Sequence, residues 1–178
     1  MNTNPHIADC TETETTETDW EAVYREQMPR IYNFFRYRVG DGQLAEDLTA
    51  SVFVKAWRNR DQYSRNLGAF STWLFTIARH TAIDYFRQHH IELPLEMAVT
   101  QPENTPVEEI IQQRSDFTRL SGLLQRLSAR ERELISLKYG GECTNRAIAT
   151  LTGLSESNVG TILYRVVQKL RGQWESEP

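Results

Sequence analysis

Between Phe70 and His90 the chain sets five large aromatic side chains, Phe70, Trp73, Phe75, Tyr85 and Phe86, among Arg79, Arg87, His80 and the His89-His90 pair, without a glycine or proline. Aromatic faces can stack unpaired bases while neighbouring cations hold the phosphates of a single strand. The same side chains could instead fill the centre of a helical bundle. Stepped at 100° per residue, Phe70, Leu74, Ile77, Ala78, Thr81 and Tyr85 gather into one arc, a core stripe. Arg79, Ile83 and Arg87 fall on the opposite side, bordered by Phe75 and Phe86. Trp73 suits core or nucleic-acid contact equally.

A second constellation lies at residues 144–171, TNRAIATLTGLSESNVGTILYRVVQKLR, and has the layout of a helix-turn-helix. Thr144 can cap a short first helix with Ile148 and Leu151 facing inward and Ala149 small enough for close approach. Gly153 suits the tight turn, Leu154 plugs it and Ser155 caps the next helix. There Val159, Leu163, Val166 and Leu170 form one buried stripe. Glu156, Ser157, Asn158, Gly160 and Thr161 are left on the side where a recognition helix meets base edges. Arg146, Arg165, Lys169 and Arg171 are placed for phosphates, although a helical hairpin that touches no DNA satisfies the same packing pattern.

The elements that hold these groups are helical throughout. Trp20, Val23, Tyr24, Ile31, Phe34, Phe35 and Val39 recur at helical spacing, with Pro29 predicted to kink or divide that stretch. Gly40-Asp41-Gly42 punctuates the chain, and a second helix is predicted from about Leu44 to Arg58 on the stripe Leu48, Val52, Phe53, Ala56 and Trp57. Residues 59–68 are polar and irregular. Thr105-Pro106-Val107-Glu108 opens a helix carrying Val107, Ile110, Ile111, Phe117, Leu120 and Leu124. A capping box at Ser128-Ala129-Arg130-Glu131 opens another, which Gly140-Gly141 ends. No stretch alternates like a strand.

Composition narrows the possible functions. The formal net charge is −4 over 178 residues, yet residues 1–18 and 91–104 hold acidic side chains and no Lys or Arg. The remaining segments are therefore mildly basic, which permits phosphate contact. The Thr/Glu-rich residues 1–18 are expected to be disordered, and the Pro-containing 91–104 to be a flexible acidic linker. No apolar run reaches the roughly 18–20 residues that span a bilayer, and the start lacks a secretion signal, so a cytoplasmic protein is expected. Cys10 and Cys143 have no partner at metal-ligand spacing. Nothing pairs a nucleophile with a base or forms a phosphate-binding glycine loop, so neither enzyme activity nor a cofactor or metal is expected.

Taken in order, AEDLTASVFVKAW at 45–57, FSTWLFTIARHTAIDYFRQ at 70–88 and the helix-turn-helix at 144–171 resemble a bacterial RNA polymerase sigma factor of the extracytoplasmic-function (ECF) type. The resemblance runs from Trp20 to Trp174. It implies an all-α fold of two small helical bundles, sigma region 2 over residues 19–90 and helix-turn-helix sigma region 4 over 105–178, joined by the linker.

By that resemblance Glu46, Asp47, Phe53, Lys55 and Trp57 grip the β′ coiled coil of core RNA polymerase, while Leu48 and Val52 are mostly core. Tyr63, Ser64, Arg65, Asn66 and Leu67 form the loop that captures bases of the −10 promoter element, with Arg79, His80, Asp84 and Arg87 along the strand path. Arg146, Ser157, Asn158, Thr161 and Arg165 meet the −35 element, and the helix around Ser128 to Leu137 docks on the β flap. The chain departs from the family pattern at Ala50-Ser51, Gly160 and Ile162, which predicts fewer polar contacts there, and at His80, which predicts a different base preference. Core polymerase, promoter DNA and an anti-sigma factor are the implied partners. The competing expectations are a stand-alone helix-turn-helix regulator and an interaction module that has lost DNA binding.

Overall fold

The structure is a computed structural model that describes residues 19–64, 69–89 and 107–176. The expected tail, the linker, the loop residues Arg65, Asn66 and Leu67, the cap at Thr105-Pro106 and the side chains of Val107, Ile110 and Ile111 lie outside the described residues. Among those described there is no strand, and the all-α expectation holds.

Helix α1 spans Trp20–Val39, capped by Asp19, whose carboxylate accepts from the N–H groups of Glu21 and Ala22 at 3.1 Å. It ends at Gly40, whose φ of +81° is the left-handed conformation that glycine adopts freely. Of the two outcomes predicted for Pro29, a kink or a division, the second does not occur: the residue sits inside one continuous helix. Its ring is exposed, so the interruption costs a hydrogen bond on the solvent side while Ile31, Phe34 and Phe35 hold the other side in the core. Helix α2, Gly42–Arg58, starts two residues earlier than predicted because Asp41 caps it, accepting from Leu44 N at 2.7 Å. A 3₁₀ turn over Arg60–Gln62 leads towards α3, Phe70–Gln88.

Helix α4 spans Val107–Gln125 and α5 Ala129–Ile135, the latter opened by the complete Ser128–Glu131 capping box. A π turn over Ser136–Gly140 follows, so the predicted helix through Leu137 changes its winding before the glycines end it. Helices α6, Asn145–Thr152, and α7, Glu156–Ser176, form the helix-turn-helix with Gly153 at φ +72° in the turn.

The buried side chains form one cluster rather than two. Ile31, Phe34, Phe35, Val52 and Leu74 are continuous with Leu134, Leu137, Ile148 and Val159. The bridge is Phe75, which is 1% exposed and meets Phe34 edge-to-face at 5.9 Å. Phe75 therefore does not border a solvent-facing cationic side of α3, as helical periodicity suggested. That side is covered by the chain around Gly141, where an added Cβ would lie 2.5 Å from the Phe75 ring. Burial of an aromatic ring of this size contributes about 1.5–3 kcal/mol, enough to favour the packed arrangement.

Candidate nucleic-acid and polymerase interface

On α2 the buried positions Ala45, Leu48, Val52 and Ala56 leave an outward stripe of Glu46, Asp47, Ala50, Val54 and Trp57. It is acidic at one end and apolar at the other, with Val54 48% and Trp57 51% exposed. Trp57 packs edge-on to Trp20 at 5.4 Å and carries the Arg60 guanidinium over its ring at 4.6 Å. Glu46, Asp47 and Trp57 thus lie on the exposed face of α2. Phe53 and Lys55 are half-buried: Phe53 lies against Tyr24 at 4.8 Å, and Lys55 Nζ donates to Thr81 Oγ1 at 3.0 Å. Val54 is absent from the residues the sequence singled out, and Tyr24, counted there in the apolar pattern of the first helix, is half-exposed. Val54's place four residues after Ala50 and seven after Asp47 was the signal for it.

Tyr63 leaves the 3₁₀ turn and meets Phe70 edge-on at 5.0 Å and Trp73 at 5.4 Å. Phe70 also touches Trp20 at 5.7 Å. This aromatic cluster fixes the chain on both sides of residues 65–68, with Ser64 half-buried beside it. Trp73, poised between core and contact by sequence, is half-buried against Tyr63 and Phe70.

Further along α3, His80, Ile83 and Arg87 share an exposed face, and Arg87 Nη2 lies 2.9 Å from Asp84 Oδ1. That pair is largely solvated, which leaves the guanidinium able to exchange partners at little cost. Arg79 is placed differently. Its Nε donates to Glu133 Oε1 of α5 at 2.7 Å, with side-chain exposures of 22% and 8%, and Arg130 Nη1 holds the other Glu133 oxygen at 3.1 Å. The structure therefore groups His80, Asp84 and Arg87 and takes Arg79 out of that row.

In the helix-turn-helix, Thr144 Oγ1 accepts from Ala147 N at 3.1 Å and Ser155 Oγ from Asn158 N at 3.2 Å, the two caps expected. Ile148, Leu151, Val159, Leu163 and Val166 are buried, while Leu170 is only half-buried at the end of its stripe. Ser157, Asn158, Thr161 and Arg165 are exposed along the first turns of α7, and Thr161 Oγ1 donates back to Ser157 O at 3.0 Å. Gly160, placed with them by sequence, turns instead towards α6, where an added Cβ would stand 3.6 Å from Asn145 Nδ2. Tyr164, 68% exposed beside Arg165, was missed although it follows Thr161 by three residues. Arg146 is exposed at the rim of a cleft of about 340 Å³, shared with Arg30, Ser71, Thr72 and Thr150.

A helix-turn-helix seated beside a bundle with an aromatic helix defines a two-region, all-helical protein. Comparison with known families sharpens this: residues 23–90 match Sigma-70 region 2 and residues 117–170 match Sigma-70, region 4. The chain belongs to the sigma-70 family and, within it, to the ECF type.

Among curated relatives, the ECF RNA polymerase sigma factor BldN of Streptomyces coelicolor is 26% identical over 152 residues. That match covers 83% of this chain but only 57% of BldN, so the chain spans little more than half of that relative. The ECF RNA polymerase sigma factor SigM of Bacillus subtilis is 27% identical over 161 residues, covering 85% of this chain and 92% of SigM. Among solved structures, the sigma factor RpoE of Bartonella quintana, crystallised with the anti-sigma factor NepR, superposes with a TM-score of 0.70 at 21% identity, over 90% of this chain and 99% of that one. CnrH, in complex with the cytosolic domain of CnrY, gives 0.62 at 19% identity, over 89% and 87%. These two establish the fold.

Proposed function

We propose that this protein is an alternative sigma factor that joins core RNA polymerase, directs it to promoters with −10 and −35 elements, and helps open the DNA. The observation that carries the reading is the match to both sigma regions, in order, on one chain. Region 2 offers the α2 stripe of Glu46, Asp47 and Trp57 to the β′ coiled coil, with Phe53 and Lys55 behind it. Tyr63, Ser64 and the neighbouring Arg65, Asn66 and Leu67 belong to the base-capturing loop. His80, Asp84, Arg87 and, once free of Glu133, Arg79 line the strand path, where stacking and charge act together.

Region 4 offers Arg146, Ser157, Asn158, Thr161 and Arg165 to the −35 duplex. Ser157, Asn158 and Thr161 are short polar groups suited to base edges, whereas the two arginines suit phosphates. The protein is a non-catalytic initiation factor and works where the polymerase works, in the cytoplasm. No described helix is long and apolar enough to cross a membrane. Because the structural relatives were solved with NepR and with CnrY, an anti-sigma partner is part of the proposal.

Co-elution with purified core polymerase on gel filtration tests this reading. Stoichiometric binding to core, with weak binding of the free protein to duplex DNA, is the expected result. Tight binding of the free protein to a two-fold symmetric operator, with no affinity for core, would identify a stand-alone regulator instead.

A further inference from the structure

Helix α2 has two accessible sides, and they differ in chemistry. The outward stripe of Glu46, Asp47, Ala50, Val54 and Trp57 carries no Lys or Arg. Stepped at 100° per residue, Ser51, Lys55 and Arg58 fall together on the flank beside it, and Phe53 falls on the opposite flank. Contacts show which neighbour each flank meets. Phe53 lies against Tyr24 of α1 at 4.8 Å, so its flank is occupied. Lys55 reaches the other way, to Thr81 of α3.

The Lys55 ammonium is only partly matched there. Of its three N–H donors, one donates to Thr81 Oγ1 at 3.0 Å, and among the described residues the others meet no acceptor and no carboxylate. Thr81 is 4% exposed, so its hydroxyl is a fixed acceptor that aims the ammonium. A half-buried cation without a counter-charge costs desolvation that a neutral side chain avoids, which makes it a poor choice for packing alone. Arg58, three residues on, is exposed and has no carboxylate partner among the described residues. Thr81 follows His80 directly and precedes Asp84 by one turn, so Lys55 meets α3 at the edge of the face that carries His80 and Arg87.

We propose that Lys55 and Arg58 form a phosphate-binding flank of α2 that holds the opened promoter strand, on a different side of the helix from the stripe offered to polymerase. This assignment rests on the sigma reading above and departs from the resemblance, which gives Lys55 to polymerase and Arg58 no role. Charge separates the two partners. The stripe is acidic at one end and apolar at the other, whereas two cations without counter-charges suit a polyanion. Thr81 touches neither partner and is a positioning residue, holding the ammonium at the rim of α3. One helix thereby serves polymerase and DNA together, and neither displaces the other.

Core polymerase carrying the full-length chain tests this with a fluorescent single strand, the non-template −10 segment of a promoter mapped from transcript starts. Each phosphate contact to a single strand contributes about 0.7 to the slope of log affinity against log salt. Anisotropy titrations should give a slope shallower by about 0.7 in Lys55→Gln and in Arg58→Gln, and by about 1.4 in the double variant, with core affinity within about twofold of wild type. Thr81→Val keeps both cations and should retain the wild-type slope while weakening strand binding. Were Lys55 only a strut between α2 and α3, Thr81→Val and Lys55→Gln would behave alike, and the proposal would fall. Unchanged slopes in all three cation variants, or core binding weakened about tenfold by Lys55→Gln, would equally overturn it. If Lys55→Gln loses helical circular dichroism, the exposed Arg58→Gln decides. Failure of the wild-type chain to bind core would refute the sigma reading; the slopes are then measured on the free chain, and absence of strand binding there overturns this assignment as well.

Discussion

Arg132 offers a quantitative test of what shapes region 4. It is 2% exposed and spreads its guanidinium over the C-terminal end of α4. Nε donates to Leu124 O at 2.8 Å, Nη1 to Gln125 Oε1 at 2.8 Å, and Nη2 to Gln125 O at 2.6 Å and Leu127 O at 3.2 Å. These acceptors belong to the last turn of a helix and the bend beyond it, where the following chain supplies few donors. Burial lowers the Arg132 pKa to about 10, helped by the Arg38 charge, so the group is still a cation at neutral pH.

Arg132→Met keeps the aliphatic stem and removes every donor. Leu124 O retains the Leu127 N–H at 3.2 Å, whereas Gln125 O and Leu127 O lose their side-chain donor. Two carbonyls, that of Leu127 buried and that of Gln125 half-buried, at about 1–3 kcal/mol each, less the relieved cost of burying the cation, give an expected loss of about 2–4 kcal/mol. Urea unfolding followed by circular dichroism should show this as a midpoint lower by about 1–2 M at unchanged m. A variant as stable as wild type, or more stable, would refute the view that this arginine shapes the α4–α5 corner.

Other outcomes follow from single groups. The Ser128 backbone N–H, then its hydroxyl, hold the Glu131 carboxyl below its ordinary 4.5. The cap therefore contributes stability above about pH 4.5 that is lost as pH falls through the depressed pKa, and melting temperature against pH should show a shallower acid limb in Glu131→Gln. Burial pushes the Cys143 thiol up to about 11 against the opposing charges of Arg30 and Lys138. Peptide-resolved alkylation at pH 8 should thus leave residue 143 untouched in the native protein and modify it rapidly in urea. Arg165→Ala, at an exposed position, should change stability by less than about 0.5 kcal/mol. It should also lower the salt-dependence slope of −35 duplex binding by about 1, measured by fluorescence anisotropy of the holoenzyme.

What the sequence disclosed and what it hid divide along a physical line. The caps at Thr144, Ser155 and Ser128, the left-handed Gly153 and the stripe Val159, Leu163, Val166 depend on neighbours within a turn or two, so spacing alone exposes them. Pro29 does not divide its helix because the burial of Ile31 and Phe34 outweighs a proline's local cost, which spacing alone does not reveal. Phe75 and Arg79 misled for a different reason. Periodicity says which side of a helix is apolar, but not which other part of the chain will cover the remaining side. Their partners Gly141 and Glu133 lie more than fifty residues away, and the Arg30 bonds to Gly141 O span 111 positions. The paired glycines were visible as the end of a helix; that they also seat α1 could not be read without the fold.

Run-off transcription with purified core polymerase is the most direct test of initiation by this protein. Transcript starts mapped after overproduction of this protein supply the template, and core is assayed on it with and without the full-length chain. A discrete run-off product that requires the chain, and that disappears when the −10 or −35 segment of the template is scrambled, is the predicted result. Retained core binding with no promoter-specific transcript on any such template would contradict it.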